Sequence, residues 1–184
     1  HVRSRRQRQM CIRDSPQAHF TGAVEGVAML PDDIAFAPDG TMFVTDTRGM
    51  DGPGWETPGR VVRIGVDGTA SVLADDLPSP NGIVFDEEDA GLWVAQYNAN
   101  RIDYFALDEE RTRVVSAYPA IHVDGGIGRI DSTAVDAEGN IYQAFHEKAE
   151  IVVFAKTGEQ IGVIRVPGEA VSYTHLTLPT TPYV

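Results

Sequence analysis

Asp32-Asp33-Ile34-Ala35-Phe36-Ala37-Pro38-Asp39-Gly40-Thr41-Met42-Phe43-Val44-Thr45-Asp46 sets the pattern of this chain. Two later stretches repeat it. One is Asn81-Gly82-Ile83-Val84-Phe85-Asp86, a turn holding Asp89 and Gly91, then Leu92-Trp93-Val94-Ala95. The other is Asp131-Ser132-Thr133-Ala134-Val135-Asp136-Ala137-Glu138-Gly139-Asn140-Ile141-Tyr142-Gln143-Ala144. Their starts lie 49 and 50 residues apart (32, 81 and 131), a spacing that marks a structural repeat.

Each unit holds four short apolar runs. In the first they are Ile34–Phe36, Met42–Thr45, Val61–Val66 and Ala70–Ala74; in the second, Ile83–Phe85, Leu92–Gln96, Ile102–Leu107 and Val114–Tyr118. In the third they are Ala134–Val135, Ile141–Phe145, Ile151–Ala155 and Gln160–Val166. The runs are too short for helices and rich in β-branched and aromatic residues, so they predict strands. Asp39-Gly40, Asp67-Gly68, Glu138-Gly139 and Thr157-Gly158 supply turns between them. Four strands per unit at this period describe the blade of a β-propeller. A β-sandwich accounts for the strands but not for the self-similarity. The reading is therefore all-β: three four-stranded blades, near residues 32–80, 81–130 and 131–170. Propellers need about four to eight blades, so the chain is expected to be part of a longer ring and inactive on its own.

The 184 residues carry 15 Lys and Arg against 27 Asp and Glu, a net charge of −12. That excess of acid argues against nucleic acid or an anionic membrane as partner. No apolar run is long enough to span a bilayer, and a single cysteine excludes a disulfide framework. The two ends differ from the rest. Residues 1–15 hold Arg3, Arg5, Arg6, Arg8, Arg13 and Cys11, while residues 171–184 carry no acid, lysine or arginine. Met10-Cys11-Ile12-Arg13-Asp14 can be written ATG-TGT-ATA-AGA-GAC, whose reverse complement encodes Val171-Ser172-Tyr173-Thr174-His175. One inverted repeat thus encodes both flanks and resembles a transposase library adapter. The native protein is expected at residues 16–170, a partial propeller with 10 basic and 26 acidic residues and a net charge of −16. A cytoplasmic monomer is expected, with periplasmic or secreted placement left open because the native N-terminus is expected to be missing.

Asp32, Asn81 and Asp131 hold the same place in their units, each just before an apolar strand. Taken singly, each reads as a turn residue opening a strand. In a propeller, equivalent inner-strand positions converge on the axis. Two carboxylates and an amide oxygen there make an oxygen-rich cage for a hard cation such as calcium. Without a cation, converging carboxylates repel or take up a proton.

Leu30-Pro31-Asp32-Asp33-Ile34, Phe43-Val44-Thr45-Asp46-Thr47-Arg48-Gly49, Pro80-Asn81-Gly82-Ile83, Leu92-Trp93-Val94 and Asp131-Ser132 resemble the senescence-marker-protein/gluconolactonase/luciferin-regenerating-enzyme family. Together with Ile151-Val152-Val153-Phe154 and Gly162-Val163-Ile164-Arg165-Val166-Pro167-Gly168, they are most similar to its drug-responsive bacterial lactonase branch. The resemblance implies a six-bladed propeller with an axial divalent cation, usually calcium, that opens lactones or related esters. It implies Asp32, Asn81 and Asp131 as metal ligands, Ser132 as an added contact, and Asp131 as general acid/base. A glutamate from an early blade has no counterpart here. A second calcium of that branch is not expected, because Val24, Val27 and Met29 stand where oxygen donors are needed. The implied partner is a small lactone or ester.

Two rival functions use the same fold: a non-catalytic propeller of the NHL type that binds a protein, and a metal-dependent phosphotriesterase. His122 and His146 are candidates for the channel mouth, and Asp46 and Arg48 for a substrate contact or an ion pair within a turn. Trp55 lies in the Gly- and Pro-rich loop from Gly49 to Gly59, and Trp93 reads as core. Asp124–Gly128 lacks the strand–helix setting of a phosphate loop.

Overall fold

The computed structural model describes residues 20, 22–48, 58–123 and 129–167. The terminal segments 1–15 and 171–184, Trp55 and the Asp124–Gly128 stretch lie outside the described residues. A small hairpin comes first, β1 (Ala23–Val24) and β2 (Val27–Ala28), turning through Glu25 and Gly26, both at positive φ. Three antiparallel four-stranded sheets follow. The first holds β3 (Pro31–Phe36), β4 (Met42–Asp46), β5 (Gly59–Ile64) and β6 (Ala70–Leu77). The second holds β7 (Pro80–Phe85), β8 (Gly91–Gln96), β9 (Arg101–Leu107) and β10 (Val114–His122). The third holds β11 (Ile130–Val135), β12 (Ile141–Phe145), β13 (Glu150–Phe154) and β14 (Gln160–Arg165). In each sheet the strands pair in chain order, as in a propeller blade. No helix among the described residues is long and apolar enough to cross a membrane.

Alternation along the strands builds the core. On β8, Leu92 and Val94 join Phe43, Val61 and Phe85 between the first and second sheets. Trp93 and Ala95 point the other way and join Ile141, Phe145 and Phe154 between the second and third. All six residues of β8 are buried, because this blade has a neighbour on each face. Phe43 and Phe85 meet edge to face with ring centroids 5.3 Å apart. Val24 closes the other face of the first sheet against Val44, Val62 and Ile64. Strands β3, β7 and β11 pack side by side at the inner ends of the sheets, and β6, β10 and β14 lie outermost.

The four expected turn pairs are built alike. At the first, Ala37 N–H donates to Thr41 C=O and Gly40 N–H to Ala37 C=O, both at 2.9 Å, with Gly40 at φ 89°. That left-handed residue is why glycine recurs there. One boundary differs from the sequence reading. The inner strands begin at Pro31, Pro80 and Ile130, so Asp32, Asn81 and Asp131 lie within strands and not before them. Each inner strand bends at that point, and the bend hides its first residues from a simple alternation count.

Candidate functional site

The bend is the same in all three blades. Pro31 faces Asp46 and Ile34 faces Val44, so β3 advances three residues while β4 advances two. Pro80–Gln96 and Ile83–Val94 repeat this step, as do Ile130–Phe145 and Thr133–Gln143. Each inner strand therefore carries one extra residue, a β-bulge, at Asp32-Asp33, Asn81-Gly82 and Asp131-Ser132. Bulges bend a strand and re-aim its side chains. Three in register at the inner ends of adjacent blades give the three candidate residues one common setting.

Side chains from β3, β4 and β12 satisfy backbone groups that the bulges free. Thr45 Oγ1 donates to Asn81 C=O at 2.7 Å and accepts from Asp33 N–H at 3.0 Å, tying β3, β4 and β7 together. Ile83 N–H donates to Asp33 Oδ2 at 3.4 Å. Gln143 Nε2 donates to the carbonyls of Asp131 (2.8 Å) and Ser132 (3.2 Å), and its Oε1 accepts from Thr133 Oγ1 at 2.7 Å. At Gly82 an added Cβ would stand 2.5 Å from both Asp131 C=O and Thr133 Oγ1. Glycine is thus what lets β7 come this close to β11.

The electrostatics of this end are unbalanced. Asp131 is half-buried, and its carboxyl is pushed up to about 6, first by burial and then by the charge of Asp32. Asp33 adds to the rise, while Ser132 N–H and the charge of His146 oppose it. Asp32, exposed at the edge, is also raised, by partial desolvation and then by Asp33. Asp33 is raised by desolvation against two backbone N–H donors, Ile34 and Ile83. Asn81 is 3% exposed, and its Oδ1 has no hydrogen-bond partner. A buried acceptor without a donor costs about 1–3 kcal/mol. The interacting carboxylates of Asp131 and Asp32 and this acceptor, on three equivalent bulges, share one unmet need, a positive charge. Two carboxylates and an amide oxygen are the donor set of a hard, oxygen-seeking cation, so these residues fit one. Among the described residues no three His, Cys, Asp or Glu side chains form a metal-holding group.

The remaining sequence candidates fall as follows. Asp46 does not pair with Arg48. It is fully buried and paired with Arg60, Nε to Oδ2 at 2.7 Å, and Arg60 also donates to the carbonyls of Val24 and Val27, each at 3.0 Å. Leu30 N–H donates to Asp46 Oδ1 at 2.8 Å, so the pair clamps the β1–β2 hairpin onto the strand leading into Asp32. His122 is exposed at the end of β10. His146 opens a 3-10 turn directly after β12, where its charge reaches Asp131. Trp93 is core, 7% exposed. Sequence reasoning missed Asp33, Thr45, Gln143 and Gln96. Asp33 follows Asp32 directly in Asp32-Asp33, and that doublet was its one legible signal. Gln96 is fully buried opposite Pro80 with neither amide atom bonded.

The model of the SMP-30/gluconolactonase/LRE-like region matches residues 8–180. The chain belongs to this family. Within it, the chain is 29% identical over 140 residues to lactonase drp35 of Staphylococcus aureus strain MW2, covering 74% of this chain and 42% of that protein. A gluconolactonase structure from Xanthomonas campestris superposes with a TM-score of 0.62 at 26% identity, over 77% of this chain and 48% of that one. The calcium-binding protein regucalcin from Agrobacterium tumefaciens shares the fold, with a TM-score of 0.67 at 23% identity, over 76% of this chain and 46% of that one. The chain thus spans less than half the length of these relatives.

Proposed function

We propose that these three blades belong to a calcium-dependent hydrolase that opens a lactone or related ester, with Asp32, Asn81 and Asp131 as cation ligands and Ser132 beside them. The observation that carries the reading is Asn81 Oδ1, a buried acceptor with no donor, on the same bulge that holds Asp32 and Asp131 in the flanking blades. The names of the relatives, lactonase and gluconolactonase, support this reaction class. An all-oxygen donor set suits calcium, magnesium or manganese, and calcium is taken from among them because regucalcin, which shares the fold, is named a calcium-binding protein.

When bound, the cation supplies Lewis-acid polarisation of a carbonyl and charge to balance an oxyanion. The proton work falls to Asp131. Ionised at neutral pH, it accepts a proton from the attacking water and returns one to the leaving alkoxide. Such general acid–base help gives about 10²–10⁴ in rate. Gln143 holds the carbonyls of Asp131 and Ser132, so the base starts from a fixed backbone. Thr45 and Gly82 hold the β7 bulge at its working distance from β3 and β11.

Turnover is assigned to the protein with a whole ring; the 184-residue chain alone is expected to turn over no lactone. Acid release from a panel of γ- and δ-lactones, followed with calcium and after chelation, tests the assignment. Calcium-dependent release supports it, and no release from calcium-loaded whole protein overturns it. We assign residues 1–15 and 171–184 to library sequence on their shared inverted repeat. Sequencing the genomic locus tests that assignment directly.

A further inference from the structure

The outermost strands β6, β10 and β14 each leave one edge of backbone N–H and C=O groups without a described strand beside it. Open edges invite another strand, and proteins blunt them with charge, proline or bulges. Strand β6 carries Asp75 and Asp76, the second at φ 57°, and its register to β5 breaks twice. Strand β10 carries Pro119, which has no N–H to offer, and two register breaks. Strand β14, Gln160-Ile161-Gly162-Val163-Ile164-Arg165, has neither acid nor proline, and its ladder breaks once, with Ile161 as the extra residue between Gln160 and Gly162.

Ile161 and Val163 are 54% and 44% exposed on this strand. Val163 stands opposite Val152, on the face packed toward the second sheet. The neighbouring blade on that side is already in place and still leaves Val163 open.

The edge is also self-complementary. Consider β14 antiparallel to β14 of a second copy, with the twofold axis at Gly162. Ile161 then faces the copy's Val163, and Glu159 faces its Arg165, each twice by symmetry. The apolar centre is flanked by opposite charges, and Gly162 brings no side chain to the crossing point. Backbone parity agrees on the C-terminal side of the Ile161 bulge. Val166 N–H turns inward to Ala149 C=O at 3.0 Å, so by alternation Arg165 and Val163 present their N–H and C=O outward. Glu159 C=O accepts Ala155 N–H at 2.8 Å, which ends the outward ladder there and leaves its side chain for the ion pair. Arg165 presently meets Glu150 at 3.4 Å with its side chain 86% exposed, a weak contact that is readily exchanged.

We infer that β14 is a dimerisation edge, pairing antiparallel with β14 of a second copy of this chain to make one continuous eight-stranded sheet. This replaces the expectation of a monomer and does not depend on the proposed chemistry.

Sedimentation velocity of the 184-residue chain over about a hundredfold concentration range tests the inference. A monomer–dimer equilibrium is expected. Ile161→Lys should weaken the dimer by about tenfold or more, since it sets a charge against the copy's Val163. Glu159→Arg and Arg165→Glu should each weaken it, and the double variant should restore it. Those two positions are exposed surface, so they keep the test sound if Ile161→Lys fails to fold. Monomer at every concentration, or a dimer unmoved by both charge variants, overturns the inference.

Discussion

Arg60→Met is the substitution whose cost the structure defines best. Arg60 is 2% exposed, and its guanidinium makes three bonds: Nε to Asp46 at 2.7 Å, Nη1 to Val24 C=O and Nη2 to Val27 C=O, both at 3.0 Å. Methionine fills much of the space but leaves the Asp46 carboxylate buried without its cation. Breaking a buried ion pair from one side costs about 3–5 kcal/mol. For a chain of this size, 1 kcal/mol corresponds to about 2–4 °C, so the midpoint of thermal unfolding should fall by about 6–20 °C. The double variant Asp46→Leu/Arg60→Met removes both charges and should recover part of the loss. Recovery stays partial because the carbonyls of Val24 and Val27 and the N–H of Leu30 lose their partners. Calorimetric unfolding of the three proteins at one pH measures all of this. A shift below about 2 °C for Arg60→Met, less than 1 kcal/mol on the same scale, would refute the clamp.

Other outcomes follow from the bulges. Gly82→Ala should cost about 1–3 kcal/mol, because the new methyl meets Asp131 C=O and Thr133 Oγ1 at 2.5 Å; an unchanged unfolding midpoint would mean that β7 and β11 are not in close contact. Cation affinity should fall as pH drops below about 6, where Asp131 takes up a proton that the cation must displace, by about tenfold per pH unit for one proton. The stability sign is opposite in the cation-free protein. With its folded pKa raised, Asp131 binds more protons folded than unfolded between about 4 and 6, so its contribution falls as pH rises through that window. Unfolding and calcium titrations across that range check both signs.

Much of the fold was legible because blades are built from local signals. Alternating Val, Ile and Phe runs and repeated Asp-Gly or Glu-Gly turns place Met42–Asp46 or Ile141–Phe145 within a residue or two. The bulges were not legible, since polar pairs such as Asn81-Gly82 look like strand-opening turns until the register shows both flanks paired. The hairpin β1–β2 escaped notice because two-residue strands carry no period. The three candidate ligands were found by their equal spacing, a property of the repeat. The burial of Asn81 and the absence of a donor for its Oδ1 depend on packing between blades, which no local pattern records. Asp46 was weighed with its near neighbour Arg48, whereas its partner Arg60 lies 14 positions along the chain, across the strand pairing of β4 with β5.

The central claim is that the Asn81 oxygen is left without a donor because a cation belongs there. Asn81→Leu separates the two halves of that claim. Calorimetric calcium titration of the protein carrying the whole ring, paired with unfolding in chelator, reads both. The account predicts lost calcium binding at this site and a cation-free protein at least as stable as the parent, since an unsatisfied buried acceptor has been removed. Calcium binding by Asn81→Leu with the parent's affinity and stoichiometry would contradict it.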